Sequence, residues 1–430
     1  MNVLIVYERK NRELENSVLL KIELEKRGHS CTIAQFYQGS SFNILGRKKY
    51  DVIFVPHLYD SQEVIRTFAR FGKSPRIINL QYEQVLSEKW EALGHHTPSG
   101  LAQKFEHICW GPKTSSRLIN AGVMSESVHN IGAIQLDLLR PEYRDEGKLK
   151  SLIGKRYKLD ADKKWILFLS SFTYADIEQS RLLMNERVSG TTLGDFVDIH
   201  TKSRDEILQW YDEELQKNSI DIFIYRPHPD ELNLSKVERL STRYPNFYII
   251  GSESAKIWIE CSDKIFSWYS TTVVESHFLE KPYSILRPYP LPEYFDSVLL
   301  KKGKFITSKD GFSSALQDIR NKFALSESDV AEYYIATDVP VFKMISDLVE
   351  CPSVESVFPP ISIPLKNRLT ALLVYHFYIL DRLASRFDII YKTLNKVSFY
   401  KSWSQEIKNQ ACTPSEIRSL EVSLMEKVDV

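Results

Sequence analysis

The chain of 430 residues lacks an excess of charge of either sign, because Lys+Arg and Asp+Glu both total 56. A protein dedicated to nucleic acid normally carries a basic excess, so this balance argues against nucleic acid as a partner. Paired cysteines are also missing, since the five cysteines lie far apart and form no CxxC motif. We therefore expect reduced thiols in a reducing compartment, with neither a zinc site nor disulfides.

Long apolar stretches are missing as well. The amino terminus, MNVLIVYERKNRELENS, has neither the basic start nor the long apolar stretch of a signal peptide. No segment approaches the roughly 18 apolar residues that a membrane span requires. These absences predict a cytoplasmic protein.

What is present is an alternation of strand-like and helix-like segments, which occurs twice. Strands are predicted in a first half at 3–7, 30–34, 52–56, 77–80, 107–110 and 128–131. After a charged linker, strands are predicted at 165–169, 221–225, 247–250, 264–268 and 283–286. Strands separated by helices imply parallel βαβ units. We predict an α/β protein with two Rossmann-like domains, 1–145 and 146–340, facing a cleft at the carboxyl ends of both sheets.

A third segment, the tail 341–430, differs from both halves. Prolines at 359, 360 and 364 mark a break. The following segment, 364–403, is helical, aromatic and basic, with seven Lys or Arg residues against Asp381 and Asp388 alone. A basic amphipathic segment suits an anionic membrane surface. The alternative is a helical tail that packs back on the first domain, and both interpretations stay open for different parts of it.

The motif DIFIYRPHPDE at 221–231 joins a buried strand to a rigid turn. Pro227 and Pro229 fix their own φ and hold the preceding residues extended, so the strand end cannot become a helix. Arg226 and His228 are thereby held at a strand end. The imidazole can donate to a nucleotide phosphate and the guanidinium can add charge. A polar loop without function is the alternative.

Hydroxyl residues follow two other strands of the second half. Ser170 and Ser171 come after the strand at 165–169, where hydroxyl and backbone N–H groups can meet an anion. Ser270, Thr271 and Thr272 precede a predicted helix that Thr272 and Glu275 begin as a capping box. A helix amino terminus that carries hydroxyls can bind a phosphate, although ordinary helix capping also explains these residues. Glu275, one turn inside the helix, is well placed to accept from ribose hydroxyls.

A metal site is not expected at the cleft. The one Asp-Ala-Asp triplet, Asp160 to Asp162, precedes the first strand of the second half and therefore lies at the wrong edge of that sheet. The leaving group of a sugar transfer is a nucleotide phosphate that develops negative charge, and a fixed donor there stabilises the transition state. His228 would then replace the divalent metal ion that many sugar-transfer enzymes use.

These motifs resemble a known family. RPHP at a strand end, followed about forty residues later by S-x-x-S-T-T-x-x-E and then EKP, is similar to bacterial surface-polysaccharide glycosyltransferases of the GT-B fold. That group includes capsule Kdo transferases, polysialyltransferases and, more loosely, the glycerophosphotransferases of teichoic acid synthesis. NLQYEQ, ICWGPKTSSRLINAGV and NIGAIQLDLL in the first half also resemble segments of surface-carbohydrate biosynthesis proteins. The likeness covers residues 1 to about 310 and leaves out the tail.

The resemblance implies metal-independent, inverting transfer from a nucleotide-activated donor, with His228 and the turn at Ser270–Thr272 on the phosphate. An inverting mechanism also needs a base for the acceptor hydroxyl, and we expect it in the first half. Glu83, just past the strand at 77–80, is the first candidate, although a structural role is an alternative. Four other acceptor-side candidates stay open beside it: His57, Asp60, His95 and His96.

The sequence favours a glycosyltransferase that builds a capsule, lipopolysaccharide or related polysaccharide at the inner face of the cytoplasmic membrane. Its partners would be a nucleotide-sugar donor and a glycan or glycolipid acceptor, with no cofactor. The donor stays open among CMP-linked acids, CDP-polyols and UDP- or TDP-sugars. The alternatives are a nucleotide-sugar 2-epimerase and a non-catalytic nucleotide-sugar-binding assembly partner. The basic tail favours the transferase, because an epimerase of soluble sugars has no need of a membrane.

Overall fold

The computed structural model describes residues 1–37, 49–144, 146–190, 192–231, 233–302, 304–318, 325–352 and 361–428. The predicted break at Pro359 and Pro360 and the boundary residue Asp145 lie outside these ranges. The chain forms two compact units. The first contains Met1–Gln84, His96–Asp137 and Ala331–Val430, and the second contains Val85–His95 and Leu138–Val330.

The first unit is built on a parallel sheet with the strand order β2-β1-β3-β4-β5-β6. Its strands are β1 Asn2–Tyr7, β2 Ser30–Gln35, β3 Val52–Val55, β4 Arg76–Asn79, β5 Glu106–Cys109 and β6 Val128–Asn130. Most of their residues are buried, as expected for parallel strands covered on both faces. Successive strands are added first on one side of β1 and then on the other. The carboxyl ends of β1 and β3 therefore mark a topological switch point.

The second unit repeats this plan with the strand order β12-β11-β10-β7-β8-β9, again parallel. Its strands are β7 Trp165–Leu169, β8 Ile222–Arg226, β9 Phe247–Ile249, β10 Lys264–Ser267, β11 Tyr283–Leu286 and β12 Phe305–Ile306. Here the switch point lies between β7 and β10. The predicted strands of both halves are confirmed to within two residues at each end. Only β12 was not predicted, because two residues carry no periodicity.

Helices separate most of the strands in both units. In chain order they are α1 Glu15–Lys26, α2 Ser61–Phe71, α3 Glu88–Ala92, α4 Pro112–Asn120, α5 Glu146–Tyr157, α6 Gln179–Ser189, α7 Gly194–Leu215, α8 Ser235–Arg243, α9 Ala255–Cys261, α10 Val273–Phe278, α11 Lys309–Gln317, α12 Glu327–Ala331, α13 Val341–Glu350, α14 Leu365–Ala384, α15 Asp388–Leu394, α16 Ser398–Gln410 and α17 Pro414–Val428. Two Rossmann-like sheets with helices and a helical tail confirm the predicted fold class.

The tail begins with α13, which is fixed to the first unit at both ends. Both carboxylate oxygens of Asp137 accept from the backbone N–H groups of Val341 and Phe342, each at 2.8 Å. At the other end, the Arg76 guanidinium donates to the carbonyl oxygens of Leu348 and Val349. Because the first four N–H groups and last four carbonyls of a helix lack partners within the helix, these bonds anchor it firmly.

The later tail helices also contact the first unit. Helix α14 packs on α2 and α17 packs on α1. The hydroxyl of Tyr7, at the end of β1, donates to the carbonyl oxygen of Gln410 at 2.9 Å, and Lys10 pairs with Glu416 at 2.8 Å. Packing therefore accounts for one side of the tail. Among the residues described, none of the helices combines the length and the apolar character needed to cross a bilayer.

Candidate functional site

Three turns that follow neighbouring strands form the candidate donor site of the second unit. They come after β7 (170–173), after β8 (226–231) and after β10 (268–272), and these strands are adjacent in the order β10-β7-β8. Parallel strands end at one edge of their sheet, so the turns share that edge. The pair β7 and β10 is also the switch point, where open α/β sheets bind their ligands.

The 226–231 turn is held in place by the strand that precedes it. The hydroxyl of Tyr225, the buried penultimate residue of β8, donates to a carboxylate oxygen of Glu231 at 2.7 Å. The other oxygen of Glu231 lies 3.4 Å from the backbone nitrogen of His228, and the backbone N–H of Glu231 donates to the His228 carbonyl. Glu231 and the two prolines therefore fix the backbone on which the imidazole is mounted. The sequence motif included Glu231, but its role was missed.

The orientation of the His228 ring follows from a further bond. The backbone N–H of Asp230 donates to Nδ1 of His228 at 3.1 Å. A ring nitrogen that accepts carries no proton, so this bond selects the neutral tautomer protonated at Nε2. The side chain is 43% exposed. The turn thus presents an oriented N–H donor at the carboxyl end of β8.

Arg226 is directed toward the neighbouring strand end. Its Nη2 donates to the carbonyl oxygen of Glu253, just after β9, at 2.8 Å. Burial lowers the pKa of its guanidinium to about 10, so the charge persists at neutral pH. The positive charge predicted for this turn is therefore present, and a backbone carbonyl holds it in place.

Ser170 and Ser171 are almost fully buried and link the turns to one another. The Ser170 hydroxyl lies 2.8 Å from the hydroxyl of Tyr225, which joins the first turn to the second. The Ser171 hydroxyl accepts from the backbone N–H of Tyr269 at 3.0 Å, which joins it to the third. The two serines thus set the spacing of the three turns.

The predicted capping box at Thr272 and Glu275 is wrong. Thr272 has helical angles (φ −64°, ψ −4°), and its side chain makes no capping bond, whereas an N-cap residue is normally extended. The Ser270 hydroxyl instead lies 2.8 Å from that of Thr272 and accepts from the Thr272 backbone N–H at 3.3 Å. Thr271 between them is exposed. The chain enters α10 through a hydroxyl-rich turn.

Glu275 lies inside the first turn of α10 and is half-buried. Burial raises the pKa of its carboxyl to about 7, against smaller opposing effects of a backbone hydrogen bond and Lys256. The carboxyl therefore titrates near neutral pH and can both donate and accept.

A separate pocket of about 320 Å³ lies in the first unit, at its own switch point. It is lined by Glu8, Arg12, Phe36, Tyr37, Pro56, His57, Tyr59, Glu63, Arg66, Arg70, Tyr82 and Glu83. Glu8 directly follows β1 and His57 lies just beyond β3. We call this cavity the first-unit pocket. Its volume is within the usual range of small-ligand sites.

Glu83 and His57, two sequence candidates, both line the first-unit pocket. Glu83 pairs with Arg12 at 2.5 Å and with Nε2 of His96 at 3.2 Å. Burial raises the pKa of Glu83, but the charges of Arg12 and His96 outweigh it and leave that pKa lowered. Its carboxylate is therefore a weak base. His57 lies between two carboxylates, with Nδ1 at 3.1 Å from Glu63 and Nε2 at 3.5 Å from Glu8.

The remaining candidates have other surroundings. Asp60 caps α2 by accepting from the backbone N–H of Glu63 at 2.8 Å. His96 has a positive φ of 55° and its ring stacks on Tyr59, with centroids 4.8 Å apart. His95 belongs to the second unit and packs on Trp90. Consecutive histidines thus serve different units, which an interpretation of GHHTPSG as a single loop missed.

Residues of the first-unit pocket other than these candidates could not be identified from the sequence. Glu8, Arg12 and Glu63 come from three separate segments and form no motif. Their shared signal is position, since each follows a strand end or begins a helix next to one. Within the described ranges, no group of three or more His, Cys, Asp or Glu residues is arranged to hold a metal ion.

Comparison with known proteins identifies the fold. No protein-family model matches the chain, and no curated protein matches it in sequence. Among solved structures, the wall teichoic acid polymerase TagF matches with a TM-score of 0.54 and 13% identity, over 81% of this chain and 88% of TagF. A TagF variant soaked with CDPG matches with a TM-score of 0.53 and 12% identity, over the same shares of both chains.

An epimerase has the same architecture. The UDP-GlcNAc 2-epimerase from Neisseria meningitidis, bound to UDP-GlcNAc, matches with a TM-score of 0.50 and 14% identity, over 81% of this chain and all of that one. At these identities the likeness shows the fold alone. It confirms the GT-B architecture that the resemblance implied, with a teichoic acid enzyme among the structural neighbours.

Proposed function

We propose that the chain is an inverting glycosyltransferase that uses a nucleotide-activated sugar to build a bacterial surface polysaccharide. The observation that carries this proposal is the 226–231 turn, which presents the Nε2–H group of His228 at the carboxyl edge of a switch-point sheet. A fixed N–H donor stabilises the charge that develops on a leaving phosphate. Two structural neighbours with this fold, a polymerase soaked with CDPG and an epimerase bound to UDP-GlcNAc, support a nucleotide-linked substrate.

The other polar groups of the three turns divide the remaining work on the donor. Arg226 supplies positive charge, and the hydroxyls at Ser270–Thr272 donate to phosphate oxygens. Glu275 accepts from a ribose hydroxyl. Ser170 and Ser171 act indirectly, because their hydroxyls hold the turns together.

Transfer proceeds without a divalent metal ion in this proposal, since His228 and Arg226 supply the electrostatic stabilisation. Full activity in EDTA supports it. Loss of activity on chelation, restored by magnesium or manganese, contradicts it.

Nucleotide binding is the most direct test of the donor site. The protein is heated with CMP, CDP, UDP, TDP or GDP, because a ligand that binds the folded state raises its apparent stability. We expect one base to raise Tm, and His228→Ala to reduce that shift. If no nucleotide raises Tm, the donor site is not a nucleotide site.

A second candidate function is a nucleotide-sugar 2-epimerase, which the likeness to the Neisseria enzyme favours. Incubation with nucleotide sugars and no acceptor separates the two reactions. Interconversion of donors supports the epimerase, whereas transfer that requires an added glycan supports the transferase.

We also propose that the tail binds the anionic surface of a membrane through one face of α14. Five leucines of this helix are exposed, at 71%, 51%, 71%, 62% and 47%, namely Leu365, Leu369, Leu373, Leu380 and Leu383. At about 100° per residue they fall within roughly 80° of arc. Ala371 and Tyr378 lie on the opposite side and are buried. We call the five residues the exposed leucine face.

Basic residues near the exposed leucine face favour an anionic membrane surface as its partner. Lys366 and Arg368 of α14 are exposed near it, and Arg386 just after the helix is exposed as well. Apolar residues flanked by basic ones fit the boundary between acyl chains and anionic headgroups. This arrangement supports a peripheral position at the inner face of the cytoplasmic membrane. A second copy of the chain is a poorer partner for this face, because the basic residues of the two copies would repel each other.

A further inference from the structure

Arg287 lies at the same edge of the second sheet as the three turns of the donor site. It directly follows β11, which is the neighbour of β10 in the strand order, and parallel strands end at one edge. Its side chain is buried. Its backbone N–H donates to the carbonyl oxygen of Ile306 in β12 at 2.7 Å, so the sheet fixes the main chain at this residue.

Arg287 forms a buried, bidentate ion pair with Asp296. Its Nη1 donates to one carboxylate oxygen at 2.7 Å and its Nη2 donates to the other at 3.0 Å. The two side chains are only 2% and 5% exposed. A planar guanidinium matches a carboxylate in this fork geometry, which fixes its orientation as well as its position. Its central carbon also lies 4.5 Å from the ring centroid of Phe305, so the guanidinium has little room to move.

The guanidinium makes a third bond, to the main chain of the turn at 268–272. Nη2 of Arg287 donates to the carbonyl oxygen of the buried Trp268 at 3.1 Å. Trp268 is the first residue after β10, and the ladder pairs of that strand end at Ser267. A buried carbonyl beyond the ladder needs another donor, because leaving it without one costs free energy. Arg287 therefore fixes the main chain at the point where it leaves the sheet and enters the hydroxyl-rich turn.

The residue before Asp296 binds the same turn. The hydroxyl of Tyr269 donates to the carbonyl oxygen of Phe295 at 2.9 Å. Phe295 is itself packed between other parts of the second unit, with ring centroids 5.9 Å from Trp90 and 4.9 Å from Phe196. The segment that carries Asp296 is thus held by packing, and it holds the turn at two successive residues.

The hydrogen bond to Trp268 separates a positioning role of Arg287 from a purely structural one. Removing two charges from water carries a large penalty, and replacing a buried ion pair by apolar side chains of similar volume is often neutral or stabilising. The ion pair by itself is therefore weak evidence for a role in stability. Apolar side chains can fill the same space, but they cannot donate to the carbonyl at the start of the turn.

We propose that Arg287, oriented by Asp296, is a positioning residue of the donor site. It fixes the main chain at Trp268 and thereby the hydroxyls at Ser270–Thr272 that bind the donor phosphate. Its two terminal nitrogens are engaged by the carboxylate and the carbonyl, so it acts through the turn and does not bind the phosphate itself. This inference rests on the proposed nucleotide-sugar site of the second unit and adds to it a residue that the sequence motifs do not include.

The test replaces both charges, as Arg287→Met with Asp296→Leu, and measures nucleotide binding. The probe is whichever of CMP, CDP, UDP, TDP or GDP raises the Tm of the wild type, titrated to give an apparent Kd. We expect the double variant to fold, because it leaves no buried charge unpaired. Its Kd for the nucleotide should rise roughly 10- to 100-fold, the effect of losing one hydrogen bond to a charged group.

Arg287→Lys tests the bond to Trp268 without removing the charge beside Asp296. A single ammonium group cannot reproduce the fork that holds the carboxylate and the carbonyl together. This variant should therefore keep most of the stability and still bind the nucleotide more weakly, and it decides the question if the double variant does not fold.

The matched control is Arg76→Met with Glu106→Leu, which removes a buried bidentate pair of the first unit. Nε and Nη2 of Arg76 donate to the two oxygens of Glu106 at 2.6 and 2.8 Å, and Arg76 also donates to backbone carbonyls. Loss of this pair should change Tm in the absence of nucleotide but leave the Kd for the nucleotide unchanged.

The outcomes separate this inference from the proposed function. If none of the five nucleotides raises the Tm of the wild type, both fail. If a nucleotide binds the wild type, and binds the double variant or Arg287→Lys with the same Kd, the donor site stands and the positioning role of Arg287 is wrong. An equal rise in Kd in the control pair also overturns that role, because the effect would then follow from the loss of any buried ion pair.

Discussion

The two units place polar groups at equivalent switch points but hold them by different forces. In the second unit, hydroxyl and backbone N–H bonds such as Tyr225 to Ser170 and Asp230 to His228 join the turns. In the first-unit pocket, charged pairs such as Arg12 with Glu83 hold the side chains. A neutral network leaves His228 as a hydrogen-bond donor, whereas carboxylates around His57 increase its basicity. One topology thus supports a mainly neutral hydrogen-bond network in one unit and a network of charged pairs in the other.

The largest expected effect is the loss of transfer activity when His228 of the second unit is removed. His228→Ala should fold normally and lose roughly 10²- to 10³-fold in transfer activity, as for the loss of one oxyanion donor. Steady-state kinetics beside thermal unfolding measures both. His277→Ala, at a histidine of the second unit outside the three turns, is the matched control. A variant within tenfold of wild type would return the 226–231 turn to a purely architectural role.

The next largest expected effect is on membrane binding by the tail, one side of which packs on the first unit while the other is exposed. Leu369→Glu with Leu373→Glu should weaken binding to anionic vesicles by at least tenfold, because each buried leucine contributes roughly 1.5–3 kcal/mol. Binding of the unaltered protein should also weaken at high salt. Flotation with phosphatidylserine vesicles at two ionic strengths measures this.

Leu152→Glu provides the control for that experiment, since Leu152 is 53% exposed in the second unit. It should float like the wild type. If the Leu369→Glu/Leu373→Glu variant floats as well as the Leu152→Glu control, the exposed leucine face does not bind the membrane. If this double variant loses self-association but still binds vesicles, the exposed leucine face contacts a second copy of the chain.

A smaller effect is expected on the pH dependence of stability, through the protonation of Glu275. The pKa of Glu275 is raised from 4.5 to about 7, so the folded state favours the protonated carboxyl. Its contribution to stability is complete below pH 4.5 and is lost as pH rises to about 7. Glu275→Gln should remove this decline and raise the unfolding free energy at pH 8 by roughly 3 kcal/mol. Urea unfolding at pH 5 and 8 tests it, and an unaltered pH dependence contradicts the shift.

The smallest effect concerns the network that supports His228. Tyr225→Phe removes the hydroxyl that donates to Glu231 and is hydrogen-bonded to Ser170, and it should cost about 1–3 kcal/mol of stability. If the network also positions the turn, kcat should fall while the nucleotide-induced shift in Tm persists. Unchanged kcat in a destabilised variant would confine Tyr225 to stability. Tyr289→Phe, at an exposed tyrosine of the same unit, is the control.

Much of the donor side could be predicted because its determinants are local. The strand at 222–226 follows from an apolar run, and two prolines fix the turn that follows whatever the surroundings are. The prediction of a capping box was wrong for a reason that is also local. The motif alone cannot say whether Thr272 takes extended or helical angles, and the competing hydroxyl of Ser270 lies only two residues away.

The sequence by itself determined the two alternating α/β halves, the helical tail and the rigid turn at His228, because periodicity and proline geometry act over a few residues. Only the tertiary structure decided which charges meet. Glu8, Glu63 and His57 approach one another because β1 and β3 are neighbours in the sheet, although the intervening chain includes β2. Likewise Asp137 meets α13 across about two hundred residues. Pairing between distant side chains depends on the packing of whole elements, and no local pattern encodes it.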